Sequence, residues 1–198
     1  MTADQQLARL ATTLAVRSPA TWRLFRGPLR RMFDRLAPAW EGRASADKLA
    51  SLDAALAGLA TPPRRILDVG TGTGAAARHL AARWPAAEVT GIDLSPEMLA
   101  EAGRLGGGPH YVAGDASHLP FADASFDLVV LVNMIPFFDQ LARVTAPGGS
   151  IAISYTLGAA TPIFVPLERA DSELARRGFG ERHHAAGGRG LALLATKS

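Results

Sequence analysis

Through the first sixty residues, apolar side chains recur every three or four positions. Leu7, Leu10 and Leu14 form one stripe, Trp22, Phe25, Leu29, Met32, Phe33 and Leu36 a second, and Leu49, Leu52, Leu56 and Leu59 a third. That spacing predicts amphipathic helices over 3–16, 20–36 and about Ser45 to Leu59. Ser18-Pro19, Ala37-Pro38 and Thr61-Pro62-Pro63 interrupt them. From residue 65 the pattern changes. Short runs of β-formers alternate with helical segments: strands over 65–70, 88–93, 109–113, 126–132 and 149–156, helices over 74–84, 95–105, about 137–145 and 164–177. Such alternation predicts an α/β fold, a doubly wound, mostly parallel sheet with helices on both faces. Residues 178–186 and 190–196 lack helical spacing and flank Gly187-Gly188, so they read as a closing antiparallel hairpin. The expected organisation is one globular unit, with a helical extension over 1–61 packed on a core over 62–198. The extension serves as a lid or as a dimer surface, which leaves monomer and homodimer both open.

The first predicted strand runs into Asp68-Val69-Gly70-Thr71-Gly72-Thr73-Gly74, and a helix-forming segment follows. Alternate glycines permit a sharp turn and let a ligand approach bare backbone. The helix N-terminus beyond them presents unpaired N–H groups. In an open parallel sheet, ligands lie at the carboxyl ends of the strands. The second strand ends at Asp93, the third is followed at once by Asp115, the fourth ends at Asn133 and the fifth at Tyr155. Three carboxylates therefore border one glycine turn. Asp93 stands about twenty residues beyond the glycines, where an acid accepts ribose hydroxyls. Gly70, Gly72 and Ala75 also satisfy a dinucleotide fingerprint, so the glycines alone leave NAD open. Asp68 weighs against NAD, because a negative charge beside a pyrophosphate is unfavourable. Asp68 suits a cationic amine, and Asp115 suits an exocyclic adenine amine.

Composition narrows the classes. There is no cysteine, which excludes disulfides, thiolate nucleophiles and Cys-based zinc sites. No His or acid spacing suggests a metal. No apolar run reaches the roughly 20 residues that span a bilayer, and no signal-peptide pattern opens the chain, so the cytoplasm is the expected compartment. Residues 1–65 hold 11 Lys/Arg against 5 Asp/Glu, while the remainder holds 10 against 13. The basic excess lies on predicted helical faces without interleaved aromatics, which argues against nucleic acid as the partner.

Four stretches in order, ILDVGTGTG (66–74), VTGIDLSPEMLAEA (89–102), YVAGDASHLPFADASFDLVV (111–130) and LARVTAPGGSIAIS (141–154), closely resemble the class I, Rossmann-like, S-adenosylmethionine (SAM)-dependent methyltransferases. The resemblance covers about half the chain. It implies a seven-stranded sheet whose last strand is antiparallel. It also implies SAM as methyl donor, S-adenosylhomocysteine as product, and a small-molecule acceptor. In such a site Asp68, Gly70 and Gly72 border the methionine part, Asn133 lies by the methionine end and the acceptor, Asp93 holds the ribose hydroxyls, and Thr71 and Leu94 are further cofactor-binding residues. Met98 packs on adenine, and Asp115 with Ala116 reads its edge. Ser95 is the better cap for the following helix, because Pro96 suits the first helical position.

The acceptor side is less legible. Methyl transfer from a sulfonium is an in-line displacement in which positioning alone supplies ~7–11 kcal/mol, so no base motif is required. His118 and Tyr155 are the catalytic candidates, each with a structural role as its alternative. Asn133-Met134-Ile135-Pro136-Phe137 lacks the adjacent prolines of the Asn-Pro-Pro-Tyr type motif and reads instead as a wall of the acceptor pocket. Long insertions after the fourth and fifth strands are absent, so acceptor contacts are expected largely from the N-terminal helices. Phe33 to Glu41 resembles the opening segment of the quinone-type C-methyltransferase subgroup, with Trp40-Glu41 in place of Tyr-Asp, which makes Trp40 a lid candidate. A methyltransferase-like protein that binds SAM, or a partner, without turnover is the alternative reading.

Overall fold

The structure is a computed structural model that describes residues 2–41 and 48–198. Seven strands form one sheet: β1 (Arg65–Val69), β2 (Glu88–Asp93), β3 (His110–Ala113), β4 (Phe126–Val132), β5 (Thr145–Tyr155), β6 (Phe179–Gly187) and β7 (Gly190–Lys197). Their order is β3-β2-β1-β4-β5-β7-β6. The pairs from β3 through β5 are parallel, and β7 lies antiparallel to both β5 and β6. The expected parallel sheet with an antiparallel last strand is therefore present, and so is the closing hairpin. The chain order reverses between β1 and β4, which opens a crevice at their carboxyl ends.

Alternation along the strands decides which residues meet which layer of helices. Leu67, Val69, Val129, Leu131, Ile151, Ile153 and Leu193 share a core with α1 (Ala3–Arg17), α2 (Trp22–Leu36), α6 (Phe138–Val144) and α7 (Leu167–Ala175). Ile66, Leu128, Val130, Ala152, Ala192 and Leu194 face the other way, onto α3 (Ala50–Leu56) and α4 (Ala75–Arg83). Burial on both faces is why these strands read as continuous apolar runs. The helices α1 and α2 thus share one hydrophobic core with the sheet, while α3 packs on its other face. No helix among the described residues is long and apolar enough to cross a membrane.

Three boundaries differ from the sequence reading. The third helix covers only Ala50–Leu56; residues 45–47 of its expected span lie outside the described residues. The seventh helix begins at Leu167, because Pro166 holds the extended backbone of its N-cap and disfavours helix at Val165. Strand β5 starts at Thr145. Its register against β4 jumps from Phe126–Thr145 to Leu128–Ser150, and the Pro147-Gly148-Gly149 turn fills the gap, with Gly148 at φ +72°.

Candidate functional site

The glycine turn is tied to its neighbour strand by backbone. The N–H groups of Gly70 and Thr71 both donate to the Ile92 carbonyl, at 2.8 and 3.0 Å. Gly70 takes φ +72°, and a Cβ there would lie 2.6 Å from the Met134 Sδ. The turn needs glycine at this point for its backbone and for its neighbour alike. The result is a cavity of about 460 Å³ at the carboxyl ends of β1, β2 and β4.

Two acids set the electrostatics of that cavity, Asp68 buried and Asp93 half-buried. Asp68 is 1% exposed, and the Thr71 hydroxyl donates to its Oδ2 at 2.6 Å. Burial pushes its carboxyl up to about 6, against the opposing Thr71 hydrogen bond and with the Asp93 charge adding to the rise. Asp93 accepts from the Gly72 N–H on Oδ2 and from the Ser95 N–H on Oδ1, both at 2.8 Å. Its pKa is also raised by burial, although those backbone donors oppose the rise. A carboxylate offers about four acceptor directions, so Asp93 keeps capacity for two further hydroxyls. Ser95 caps α5 (Pro96–Leu105) by accepting from the Met98 N–H, as its place before Pro96 predicts. That cap brings Leu94 and the buried Met98 to the cavity wall, with Gly114 and Ala116 also lining it.

Trp40 lies over the turn. A Cβ on Gly72 would stand 3.7 Å from its Nε1 and 4.0 Å from the Met98 Sδ, so the space above Gly72 is open and bounded by both side chains. The Trp40 ring meets Phe33 edge-on at 5.7 Å. Glu41 then hydrogen-bonds the Thr73 hydroxyl and pairs with Arg78 at 3.5 Å, while Arg78 donates to the Thr73 carbonyl at 2.6 Å. Earlier in the same helix–strap segment, Asp34 accepts from the Ser95 hydroxyl at 2.6 Å. The N-terminal segment is thus fastened to the loops after β1 and β2. Lys48 lines the same cavity, and burial lowers its pKa although Glu41 and Asp68 pull the other way.

Beyond the turn the cavity becomes apolar. Leu29, Met32, Phe33 and Leu36 from α2 face Met134, Ile135, Leu157 and Ile163. Asn133 holds a left-handed backbone (φ +52°), which asparagine tolerates better than most residues. Its side chain accepts from the Thr156 N–H and donates to the Thr156 hydroxyl, each at 2.9 Å, so it clamps the exits of β4 and β5 together while lining the cavity. The side chains of α2 thus line the apolar end of the cavity. The residues after β5, from Thr156 to Ile163, contribute as well, a share the short connection had concealed.

Three sequence candidates go elsewhere. Tyr155 is fully buried and faces the helical core rather than the cavity, because it continues the Ile151–Ile153 side of β5. Its ring meets Phe164 edge-on at 5.1 Å, its hydroxyl has no hydrogen-bond partner within 3.5 Å among the described residues, and burial raises its pKa. His118 ends a short turn on the surface and touches the Ser117 hydroxyl at 3.0 Å; Ala116 takes the cavity side of that turn. Asp115 stands outside the cavity lining, where its Oδ1 accepts from the Trp22 indole at 2.8 Å. Sequence reading passed over Trp22, Asp34, Lys48, Thr73 and Arg78. Trp22 carried the only usable signal, an indole N–H that needs a partner once buried.

Comparison with known proteins agrees with this geometry. Residues 67–153 match the family described as "Methyltransferase domain". A malonyl-[acyl-carrier protein] O-methyltransferase of Dechloromonas aromatica is 32% identical over 196 residues, covering 93% of this chain and 73% of that protein. A demethylmenaquinone methyltransferase of Deinococcus radiodurans is 40% identical over 111 residues, 50% of this chain, and the match spans 46% of the relative's length. The crystal structure of a SAM-dependent methyltransferase from Thermotoga maritima superposes with a TM-score of 0.65 at 19% identity, over 85% of this chain and 99% of that one. With its motifs in order on a seven-stranded sheet of the expected topology, the chain belongs to the class I SAM-dependent methyltransferases.

Proposed function

We propose that this chain binds SAM in the crevice at β1 and β2 and methylates a small, largely apolar acceptor held between α2 and the loops after β4 and β5. The observation that carries the reading is the pair of acids, buried Asp68 and half-buried Asp93, on either side of an open glycine turn. This donor set fits the ligand: Asp93 has acceptor capacity for ribose hydroxyls, and Asp68 answers an ammonium. Lys48 is the lining cation available to a carboxylate, and Leu94, Met98 and Ala116 offer an apolar slot for a base. SAM held there supplies an electrophilic methyl group on a sulfonium.

The residues around the acceptor bear on the chemistry. Asp4, Lys48, Asp68 and Asp93 are the titratable side chains among the described lining residues, and Asp4 pairs with Arg35 at 3.4 Å. Among the described lining residues there is no His, Tyr or Glu, and Asp4 is engaged by Arg35. The acceptor atom is one with no proton to lose in the step, such as a carboxylate oxygen, and catalysis rests on positioning. The same lack of a base favours, as a second reading, a protein that binds SAM without turnover. The proposed compartment is the cytoplasm, in keeping with the cysteine-free composition.

Calorimetry with SAM, S-adenosylhomocysteine and NAD tests the ligand; the sulfur compounds are expected to bind and NAD is not. Labelled SAM with a panel of acyl carboxylates and quinones then separates the two readings. Label transfer to any acceptor supports the enzyme, and tight binding without transfer across the panel supports the binding protein.

A further inference from the structure

Five threonines among the described residues line the cavity, and they divide by what holds their hydroxyl protons. On the cofactor side Thr71 donates to Asp68 at 2.6 Å, and Thr73 donates to Glu41. Thr2 caps α1 at the exposed rim, where water serves its proton. The other two stand in the loop after β5 and are used the opposite way round. The Thr156 hydroxyl accepts from the Asn133 amide at 2.9 Å, and the Thr161 hydroxyl accepts from the Leu157 N–H at 3.2 Å. Neither O–H meets an acceptor among the described residues.

Backbone fixes both arrangements. The Thr156 N–H donates to the Asn133 Oδ1 at 2.9 Å, which sets the amide so that its nitrogen faces the Thr156 hydroxyl. Asn133 keeps its left-handed backbone, φ +52°, in making that clamp, and strain of this kind collects at ligand sites. A single helical turn, Gly158–Ala160, brings the chain back, and the Thr161 N–H closes it on the Gly158 carbonyl at 3.0 Å. Thr161 is 2% exposed. A hydroxyl carries one donor hydrogen, and a buried donor without an acceptor costs free energy. The side chains around the pair, Met134, Ile135, Leu157 and Ile163, carry no oxygen. The two unspent O–H groups therefore call for an oxygen from the ligand.

We propose that Thr156 and Thr161 hold one oxygen of an acceptor carboxylate, so that its other oxygen faces the sulfonium methyl. The acceptor class is then a carboxylic acid with an apolar body. The step balances without a base. The free carboxylate oxygen forms the C–O bond to the methyl carbon, the S–CH3 bond breaks, and its electron pair stays on sulfur. A carboxylate and a sulfonium become a methyl ester and a thioether. The inference rests on the cofactor reading above and deepens it by naming the group that the acceptor presents and the hydroxyls that hold it.

The test supplies labelled SAM with short- and medium-chain fatty acids and with the primary alcohols and amines of the same chain lengths. Label is expected in methyl esters of the acids and in neither other series. Transfer to alcohols or amines as fast as to acids overturns the proposal. So does transfer to none of the three by protein that binds S-adenosylhomocysteine. Thr156→Val and Thr161→Val remove one donor each. The charge of the acid is spent as the new bond forms, so these donors serve the bound acid at least as well as the transition state. Each valine variant is therefore expected to raise KM for the acid roughly tenfold or more, with kcat held within about threefold. Thr156→Ser and Thr161→Ser keep the O–H and are expected to keep the wild-type KM. Unchanged KM in folded valine variants, or an equal rise in the serine pair, overturns the proposal. The wild-type series decides alone where a valine variant does not fold. Failure of S-adenosylhomocysteine to bind the wild type defeats the cofactor reading itself, an outcome distinct from binding without ester formation.

Discussion

Asp68 makes ligand binding depend on pH in a way that can be worked out beforehand. It is buried, its pKa stands at about 6, and burial is the main cause; an ordinary aspartate titrates near 3.9. Because the folded pKa is raised, the folded form holds more protons than the unfolded one across the window from about 4 to about 6. The stability contributed by the protonated group is complete below pH 4 and is lost as pH rises through 6. A rise from the ordinary value to about 6 sets that loss on the order of 3 kcal/mol. A ligand ammonium beside Asp68 reverses the preference, since it favours the ionised acid. With a pKa of about 6, about nine-tenths of the group is ionised at pH 7 and about one-tenth at pH 5.

If the ligand takes only the ionised form, its affinity falls roughly tenfold between pH 7 and pH 5, or about 1.4 kcal/mol. Asp93, also raised by burial, slopes the same way. Calorimetry with S-adenosylhomocysteine in two buffers of different ionisation enthalpy measures both quantities. The expected result is the tenfold loss, with release of about half a proton at pH 6, where Asp68 is half-protonated. Asp68→Asn is expected to bind weakly at pH 7 and to lose the slope except for any share belonging to Asp93. Equal affinity at pH 5 and pH 7, with no difference between buffers, would refute the argument that Asp68 meets a cation.

Other residues give shorter tests. Asp93→Ala is expected to weaken S-adenosylhomocysteine binding by ~1–3 kcal/mol, because ribose hydroxyls lose their acceptor; unchanged calorimetric affinity removes Asp93 from the site. Tyr155→Phe deletes a buried hydroxyl that lacks a hydrogen-bond partner among the described residues, so thermal stability is expected to hold or rise and methyl transfer to persist. His118→Ala, a surface change, is expected to leave turnover intact too, and a large drop in kcat for either variant would restore a catalytic role. Gly70→Ala imposes a Cβ at φ +72°, worth roughly 1–2 kcal/mol, and sets it 2.6 Å from the Met134 Sδ. Denaturant unfolding should show at least that loss, and an unaltered midpoint contradicts the assigned backbone.

How far the site could be read beforehand depended on how far away each acid finds its partner. Asp68 binds Thr71 three residues on, and Asp93 binds Ser95 two residues on. Turn chemistry of that range is written into adjacent residues, so both acids could be placed on the crevice from their strands. The strands themselves were legible from the same local patterning, because parallel strands buried on both faces leave continuous apolar runs, whereas their order in the sheet is a matter of packing between distant segments. Tyr155 was misplaced even though its direction was open to simple counting. Ile151 and Ile153 occupy the core side of β5, and counting two further reaches Tyr155. A strand's last residue keeps the strand's alternation, so proximity to the crevice does not turn a side chain into it. Asp115 differs in kind. Its partner Trp22 lies 93 residues away, and no local pattern couples a helix-face tryptophan to one strand-end acid. Carboxylates at the ends of these strands can serve a ligand or hold the N-terminal helices, and three-dimensional packing assigns them. Asp34 on Ser95 and Glu41 on Thr73 add two more ties of this kind. The segment from α2 to Glu41 is therefore fastened at the loops after β1, β2 and β3, through Glu41 on Thr73, Asp34 on Ser95 and Trp22 on Asp115.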